Sequence, residues 1–222
     1  PSKIAEKITK SAFNIPHATV MHDAIVTKLV EFRERIKQLG LQKGIKVTYL
    51  PLILKAVVLA LEKYPYFNST LSLDTNEIIV KKYFNIGIAV DTPYGVVVPV
   101  IKFADKKDIF ELAKEMEFLS GKARDRQLTI ADVSGGTFTV TNVGAVGSKL
   151  STPIINYPEC AILAIHRITD SVVVVDNKIT IQKVMPMAIT FDHRIVDGAQ
   201  TARFMNEVIR LLERPEWMEG KL

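Results

Sequence analysis

Residues 171–183 read Ser-Val-Val-Val-Val-Asp-Asn-Lys-Ile-Thr-Ile-Gln-Lys, and they give the clearest indication of the fold class. Two runs rich in β-branched residues flank the polar pair Asp176-Asn177, a pattern typical of a β-hairpin with a tight turn. Further strand-like runs lie before and after this hairpin, without helical segments between them. Consecutive strands of this kind predict an α+β fold, with a mixed or antiparallel β-sheet and helices packed on one side.

Eight segments in all have strand character, and five have the spacing of helices. The predicted strands are residues 77–83, 85–91, 95–101, 136–142, 160–167, 171–175, 178–183 and 185–192. The predicted helices are residues 2–13, 24–39, 48–64, 108–124 and 197–213. Helix 24–39 is expected to bury a stripe from Ile25 to Leu39 and to end at Gly40. Helix 48–64 starts at Thr48, a capping-type residue, and is apolar nearly all round, which predicts a buried helix.

The composition is that of an ordinary globular chain: of 222 residues, 48% are hydrophobic and 24% are charged. Without an internal repeat or a Pro/Ser-rich linker, residues 1–222 are predicted to form one domain. The net charge is +5, and the basic residues occur in runs too short for a nucleic-acid-binding arm. No uncharged apolar stretch is long enough to predict a membrane span. The chain opens at Pro1 without an initiator methionine, so we expect a core cut from a longer polypeptide.

In residues 191–198, Phe-Asp-His-Arg-Ile-Val-Asp-Gly, a histidine is followed four positions later by a carboxylate. The segment falls where a strand gives way to a helix, and such junctions often present catalytic groups. The imidazole of His193 suits proton transfer near neutral pH. An equally good interpretation is a helix capped by Asp197, with His193 as an ordinary polar residue. No third potential metal ligand lies near His193 and Asp197 in the sequence, so no metal site is predicted.

A threonine-rich strand is predicted within residues 135–144, Gly-Gly-Thr-Phe-Thr-Val-Thr-Asn-Val-Gly. Alternation puts Thr137, Thr139 and Thr141 on one face of the strand. Thr141 stands where the strand ends, and a hydroxyl there can meet a ligand. The alternative is a strand with one solvated face. Residues 144–149 contain glycines but lack the spacing of a phosphate-binding loop.

The cysteine and the other three histidines have less specific patterns. Cys160 has no base beside it in sequence, so inert burial is favoured over a nucleophile. His17 and His22 are interpreted as structural or surface residues, because their spacing puts them on opposite faces of a strand. His166 ends an apolar strand and is either a core-edge residue or a ligand contact.

Four blocks of this sequence together resemble the catalytic core of dihydrolipoamide acyltransferases, which share a fold with chloramphenicol acetyltransferase. The blocks are Asn-Ile-Gly-Ile-Ala-Val-Asp-Thr at 85–92, the strand 135–144, Ser-Thr-Pro-Ile-Ile-Asn at 151–156 and Asp-His-Arg-Ile-Val-Asp-Gly-Ala at 192–199. The likeness runs in the family's order from residue 4 to about residue 212. The resemblance implies the acyltransferase component of a 2-oxoacid dehydrogenase complex.

The resemblance also implies a mechanism, which is acyl transfer from a dihydrolipoyl thioester to coenzyme A. His193 matches the general base that takes the proton from the attacking thiol. Thr141 matches the residue whose hydroxyl stabilises the oxyanion of the tetrahedral intermediate. Asp197 matches a carboxylate of the catalytic motif, for which we expect a structural and orienting role. Family contacts to coenzyme A fall on Arg33, Thr48, Asp91, Ser120, Thr141 and Asn142.

The partners implied are those of the family. Active sites lie between the subunits of a homotrimer, and trimers assemble into a large hollow core. The lipoyl group is expected on a lipoyl domain outside this chain, and 2-oxoacid decarboxylase and dihydrolipoamide dehydrogenase components are expected partners. The implied location is the cytoplasm in a prokaryote and the mitochondrial matrix in a eukaryote. Neither nucleic acid, nor a membrane, nor a metal ion is expected.

Two other classes of function remain open at this stage. One is a non-catalytic scaffold that organises partner enzymes, against which intact His193 and Thr141 count. The other is acetylation of a small hydroxyl compound, as in the antibiotic-modifying relative. The acyl group is also open, because residues 44–51 resemble branched-chain members whereas Thr141-Asn142 and residues 151–156 look closer to succinyl ones.

Overall fold

A computed structural model describes residues 2–222, which contain five α-helices and nine β-strands; Pro1, the first residue of the predicted domain, lies outside the described residues. The helices are α1 Ser2–Asn14, α2 Thr27–Gln42, α3 Tyr49–Lys63, α4 Ile109–Arg124 and α5 Gly198–Glu213. The strands are β1 His17–Ile25, β2 Ser69–Ser72, β3 Glu77–Val80, β4 Ile86–Ala89, β5 Val100–Ile101, β6 Phe138–Asn142, β7 Ala161–Ile165, β8 Thr169–Val175 and β9 Lys178–Asp192.

Seven of the strands form one mixed sheet in the order β1-β9-β7-β6-β4-β5, and β8 pairs with the first half of β9. Strands β4, β6 and β7 are parallel to one another. Strand β9 runs antiparallel to both β1 and β7, and β5 runs antiparallel to β4. The predicted fold class, a mixed sheet with helices, is therefore confirmed. Strands β2 and β3 form a separate antiparallel pair.

Helices α2 to α5 join one face of this sheet in a single hydrophobic core. Phe204 of α5 stacks on Phe67 with ring centroids 4.4 Å apart, and its ring lies 6.0 Å from that of Phe138 in β6. Helix α3 is buried almost all round, as its sequence predicts. Helix α4 begins at the capping box of Asp108 and Glu111, which satisfies two of the backbone N–H groups at its start. Within the described residues, no helix is long and apolar enough to cross a membrane.

The start and the end of helix α2 differ from the prediction. Ala24 and Ile25 belong to β1, where they pair with Met185 and Val184 of β9, so the helix begins only at Thr27. Gly40 lies inside the helix and does not end it. A Cβ atom at Gly40 would lie 2.7 Å from the carbonyl oxygen of Ile45, so this glycine allows the returning chain to pack against the helix.

The predicted strands differ from the observed ones mainly in length. Predicted strand 95–101 is reduced to β5 and one bridge between Val90 and Val97, since Pro99 has no N–H to donate to a ladder. Predicted strands 178–183 and 185–192 are one continuous strand, β9. Predicted strand 77–83 ends at Val80 and pairs with β2, which the sequence did not predict. Strand β1 was likewise missed.

The predicted hairpin around Asp176-Asn177 is present and connects β8 to β9. Both turn residues have positive φ, 49° and 60°, the backbone that a two-residue hairpin turn with the right-handed twist requires. Four apolar residues form cross-strand pairs on one face of this hairpin, and 70–80% of each is exposed. This set, the hairpin face, consists of Val172, Val174, Ile179 and Ile181.

Candidate functional site

His193 lies in the turn that follows β9, and its side chain is exposed. Its backbone N–H donates to the carbonyl oxygen of Pro16, which precedes β1, at 3.2 Å. The His193 ring lies 5.5 Å from the ring of Phe191, whose own side chain belongs to the core. The imidazole is therefore held at the end of β9 with its nitrogen atoms accessible.

The turn that carries His193 is fixed by an ion pair between Asp192 and Arg194. The carboxylate of Asp192 is buried and accepts hydrogen bonds from Arg194 Nε at 3.0 Å, from Arg194 Nη2 at 2.7 Å and from the backbone N–H of Arg194 at 3.0 Å. A bidentate pair of this kind fixes direction as well as distance. Neither residue was predicted to have a role, although both stand next to His193 in the sequence.

Asp197 is the N-cap of α5, and its Oδ1 accepts a hydrogen bond from the backbone N–H of Gln200 at 2.7 Å. The carboxylate also lies where the helix dipole favours negative charge. The capped-helix interpretation of Asp197 is therefore correct. It is compatible with a catalytic role for His193, because the cap fixes the C-terminal end of the same turn.

Thr141 lies near the C-terminal end of β6 and is half-buried. The next residue, Asn142, accepts a hydrogen bond at its Oδ1 from the backbone N–H of Ala145 at 3.3 Å, which closes the turn after the strand. Asp91 follows β4 and is exposed at the same edge of the sheet, because Ala89 of β4 pairs with Thr141. The two predicted ligand-binding strand ends are thus neighbours.

Three of the predicted coenzyme A contacts line one cleft of about 280 Å³. They are Thr48, Ser120 and Asn142, from the start of α3, from α4 and from the end of β6. Thr48 occupies the N-cap position of α3, but its side chain makes no capping hydrogen bond. Thr48 therefore stands at the predicted start of the helix without capping it through its side chain, and the residue lines the cleft.

The cleft has a basic border that suits an anionic ligand. Lys46 and Arg124 are among its lining residues, together with one acidic residue, Glu117. Arg33 lies beside it, because its Nε donates to the carbonyl oxygen of Val47 at 3.2 Å. Arg33 also forms an ion pair with Glu34, which partly neutralises its charge. Guanidinium and ammonium groups in this arrangement can bind phosphate oxygens.

His193 and Thr141 lie at opposite ends of the sheet. Thr141 pairs with Ala164 of β7, and Ala164 pairs with Ala188 of β9. From Ala188 the antiparallel strand β9 continues away from that edge to Asp192, a distance of about 13 Å at ~3.3 Å per residue. One chain therefore does not bring His193 and Thr141 to the same substrate atom.

The contacts of the remaining candidate residues, Cys160 and His17, indicate structural roles. Cys160 is buried, and burial raises the pKa of its thiol to about 12, which leaves it inert at neutral pH. His17 Nδ1 bonds with the carbonyl oxygen of Ile15 at 2.8 Å, and its Nε2 accepts from the N–H of Ile155 at 3.1 Å. Within residues 2–222, no group of three His, Cys, Asp or Glu could hold a metal ion.

His166 is buried in the loop after β7. Its Nδ1 donates to the carbonyl oxygen of Pro186 at 3.0 Å, because a carbonyl can only accept. Its Nε2 bonds with the hydroxyl of Ser151 at 2.9 Å. Of the two interpretations left open for His166, the structure agrees with the core-edge residue.

Comparison with known proteins first defines the class. The fold is that of chloramphenicol acetyltransferase, to which this chain is similar with a TM-score of 0.60 at 16% identity over 93% of this chain and 94% of that one. Residues 2–219 match the family model of the 2-oxoacid dehydrogenases acyltransferase (catalytic domain). The chain belongs to this family of acyltransferase catalytic domains.

Named relatives agree with this assignment. The acetyltransferase component of the pyruvate dehydrogenase complex of Bacillus subtilis (strain 168) is 43% identical over 213 residues, which are 96% of this chain and 48% of that protein. The dihydrolipoamide acetyltransferase of Azotobacter vinelandii has a TM-score of 0.94 at 37% identity over 98% of this chain and 89% of that one. A truncated catalytic core of the 2-oxoacid dehydrogenase complex of Thermoplasma acidophilum has a TM-score of 0.88 at 39% identity over 96% and 94%. The chain spans about half the length of the curated relatives that it matches.

The ion pair of Asp192 and Arg194 gives a stability prediction. We expect Arg194→Ala to lower the free energy of unfolding by ~2 kcal/mol, because the buried carboxylate of Asp192 loses charged hydrogen-bond donors. Urea unfolding measures this change. The control is Arg35→Ala, whose ion pair with Glu219 is exposed on both sides and is worth ~1 kcal/mol or less. Equal losses in the two variants would contradict the prediction.

Proposed function

We propose that residues 1–222 form a single acyltransferase catalytic domain, which transfers an acyl group between a dihydrolipoyl thioester and coenzyme A. His193 of one chain and Thr141 of a neighbouring chain act on the same thioester. The observation that carries this proposal is the separation of the two residues at opposite ends of one sheet. A site that needs both groups requires two copies of the chain.

In the proposed reaction, the imidazole of His193 takes the proton of the coenzyme A thiol as the sulfur attacks the thioester carbonyl. The carbonyl π electrons move to oxygen, and the Thr141 hydroxyl donates a hydrogen bond to this oxyanion. When the tetrahedral intermediate collapses, the dihydrolipoyl sulfur leaves and receives the proton from His193. The acyl group passes directly from one thiol to the other, without an acyl-enzyme. The unreactive thiol of Cys160 supports this proposal, because an acyl-enzyme would require a reactive nucleophile.

The spacing of the proposed residues supports their roles. The crystallographic and enzymatic study of the Azotobacter vinelandii enzyme concerns a serine, a histidine and an asparagine in its catalytic mechanism. These three residues are spaced along that chain as Thr141, His193 and Asp197 are along this one. Threonine retains the hydroxyl of serine. Aspartate differs from asparagine in charge, and here its carboxylate caps α5, so we assign Asp197 the orientation of the His193 turn.

Coenzyme A is proposed to occupy the cleft lined by Thr48, Ser120 and Asn142. The basic groups of Arg33, Lys46 and Arg124 would face its phosphates, and the cleft opens beside the end of β6, where Thr141 lies. Asp91, at the neighbouring strand end, is proposed to bind a polar group of the ligand. The lipoyl group would come from a domain outside this chain.

For the assembly we propose a homotrimer, in which the hairpin face packs against a neighbouring chain. The face presents four paired apolar side chains to solvent, a surface typical of protein–protein contacts. The cubic core of a pyruvate dehydrogenase multienzyme complex has a TM-score of 0.94 and 37% identity to this chain, which supports assembly of trimers into a hollow core. A 2-oxoacid decarboxylase and a dihydrolipoamide dehydrogenase are the proposed partners.

The acyl group is proposed to be acetyl, because the named relatives are acetyltransferases. The experiment is acyl exchange between free dihydrolipoamide and acetyl-, succinyl- or branched-chain acyl-CoA. We expect the highest kcat/KM with acetyl-CoA and a loss of at least ~10²-fold in kcat for His193→Ala. Faster transfer from succinyl-CoA would contradict the acetyl assignment. An inactive wild-type oligomer would favour a scaffold, and transfer only to small hydroxyl compounds would favour the antibiotic-modifying activity.

Mixed oligomers test the two-chain site. His193→Ala and Thr141→Val chains are each expected to be inactive alone, but unfolding and reassembly of an equal mixture should restore about a quarter of wild-type activity, since each site draws its two groups from different chains. The control is the same mixture combined without reassembly. Absence of recovery in correctly assembled mixed oligomers would contradict a site shared between chains.

Substitutions of Thr141 separate oxyanion stabilisation from packing. Thr141→Ser keeps the hydroxyl and should retain most of kcat. Thr141→Val keeps the shape and should lose ~2.7–4 kcal/mol of transition-state stabilisation, measured from kcat/KM. Thermal unfolding of both variants controls for folding. Equal rates for the serine and valine variants would mean that the hydroxyl has no catalytic role.

A further inference from the structure

A buried carboxyl group that the proposed mechanism does not use lies two residues before β7. Glu159 is 3% exposed. Its Oε2 lies 2.6 Å from the hydroxyl of Thr139 in β6, and its Oε1 accepts a hydrogen bond from Asn156 Nδ2 at 2.7 Å. Asn156 Nδ2 also donates to Thr139 Oγ1 at 3.2 Å, so the three side chains form a closed cluster.

The cluster joins strand β6 to the chain that covers it. This covering segment, residues 148–159, lies on the face of the sheet opposite the helical core, where its Ile155 packs with Ile15 and Ile162 in a separate apolar cluster. It is also bonded to α1, through Ser11 Oγ to the carbonyl oxygen of Ile155 at 2.6 Å, and to β1, through His17. Thr139 precedes Thr141 by two residues and shares its face of the strand. Glu159 therefore holds the covering segment beside the proposed oxyanion donor.

The backbone at two glycines packs closely against the cluster. A Cβ atom at Gly136 would lie 2.7 Å from Glu159 Oε1, and one at Gly87 would lie 2.7 Å from Thr139 Oγ1. Such distances are shorter than van der Waals contact, so larger residues at these two positions would displace the cluster. The carboxyl group is thus tightly enclosed.

Glu159 is enclosed without a bonded counter-charge. Within the part of the chain that the structure describes, no lysine or arginine forms an ion pair with it. The charge of Lys7 in α1 lowers the pKa of Glu159, but this effect is smaller than that of burial. Its bonded partners from these elements, Asn156 and Thr139, are uncharged. The covering segment itself carries Lys149 and Tyr157, and it is hydrogen-bonded to His17 and His166. Burial accordingly raises the pKa of Glu159 from its ordinary value near 4.5 to about 7.

We propose that Glu159 is a positioning residue that holds the covering segment against β6 at Thr141, and that loss of its proton loosens this hold. Both protonation states can be hydrogen-bonded, since the Thr139 hydroxyl can donate to the carboxylate or accept from the acid. The difference between the states is the cost of a buried charge. Opening of the segment returns that charge to water, so opening is favoured once the group ionises.

The direction of the pH effect follows from the pKa of Glu159 in the folded state and in the opened state. The folded state binds the Glu159 proton more tightly than the opened state does, so the stabilisation is complete below about pH 4.5 and is lost as the pH rises through about 7. Between pH 5.5 and pH 8 the opening equilibrium of the covering segment should rise on the order of tenfold or more. Without an ionisable group at position 159, this rise should be absent.

Hydrogen exchange of the assembled protein tests the proposal. Amides of the covering segment are followed by mass spectrometry from pH 5.5 to 8 in the wild type, in Glu159→Gln, which mimics the protonated acid, and in Glu77→Gln, an exposed control on β3. Comparison at each pH cancels the chemical exchange rate. We expect the protection of Glu159→Gln relative to the wild type to grow from pH 5.5 to about pH 7 and to level off above it, while Glu77→Gln matches the wild type. Equal protection of the three proteins at all pH values would overturn the proposal.

A second readout rests on the proposed function. The ratio of kcat for Glu159→Gln to kcat for the wild type should rise from pH 6 to pH 8, with little change in KM for acyl-CoA. A purely structural role would change this ratio equally at every pH. A constant ratio would overturn the link to Thr141. If exchange behaves as expected but neither protein transfers acyl groups, the proposed function fails while the role of Glu159 in holding the segment stands.

Discussion

The antiparallel pairing of β9 with both β1 and β7 is the constraint on which the rest of the structure depends. Met187 to Phe191 are paired on both sides, so this part of the strand lies in the middle of the sheet. Its side chains alternate between the helical core and the covering segment, and a slip of one residue would reverse every one of them. Strand β9 is antiparallel to β7 and therefore runs in the opposite direction to β6 as well. The candidate groups therefore leave the sheet at opposite edges, and this separation is fixed by register rather than by flexible loops.

Buried polar groups hold the irregular segments beside this sheet. Asp192 fixes the turn of His193 through Arg194, and Glu159 fixes the covering segment through Thr139 and Asn156. The two cases differ in electrostatics. Asp192 has a guanidinium partner that stabilises its charge, whereas Glu159 has only neutral partners and its charged form is disfavoured. Glu159 is therefore the carboxyl group whose hold on its segment depends on pH near neutrality.

Helices α3, α4 and α5 and the β8–β9 hairpin could be predicted from sequence, because their signals are local: helical periodicity, caps at Asp108 and Asp197, and a two-residue turn. Strand β1 was missed because its stability comes from pairing with β9, more than 150 residues away. Motif resemblance supplied the candidate site residues. It could not supply Glu159, which follows a proline in a loop and resembles a solvated carboxylate until distant strands enclose it.

The hairpin face connects the fold to the proposed activity. Four exposed β-branched residues on a two-stranded arm are an aggregation hazard for an isolated chain, and natural proteins usually replace them with charged residues. Their presence is understandable if a neighbouring chain covers them. In the proposed mechanism a neighbouring chain also brings His193 to Thr141, because the sheet keeps these residues apart within one chain. Burial of the hairpin face and completion of the site would then be one event, so a chain that fails to assemble would lack both stability and catalysis.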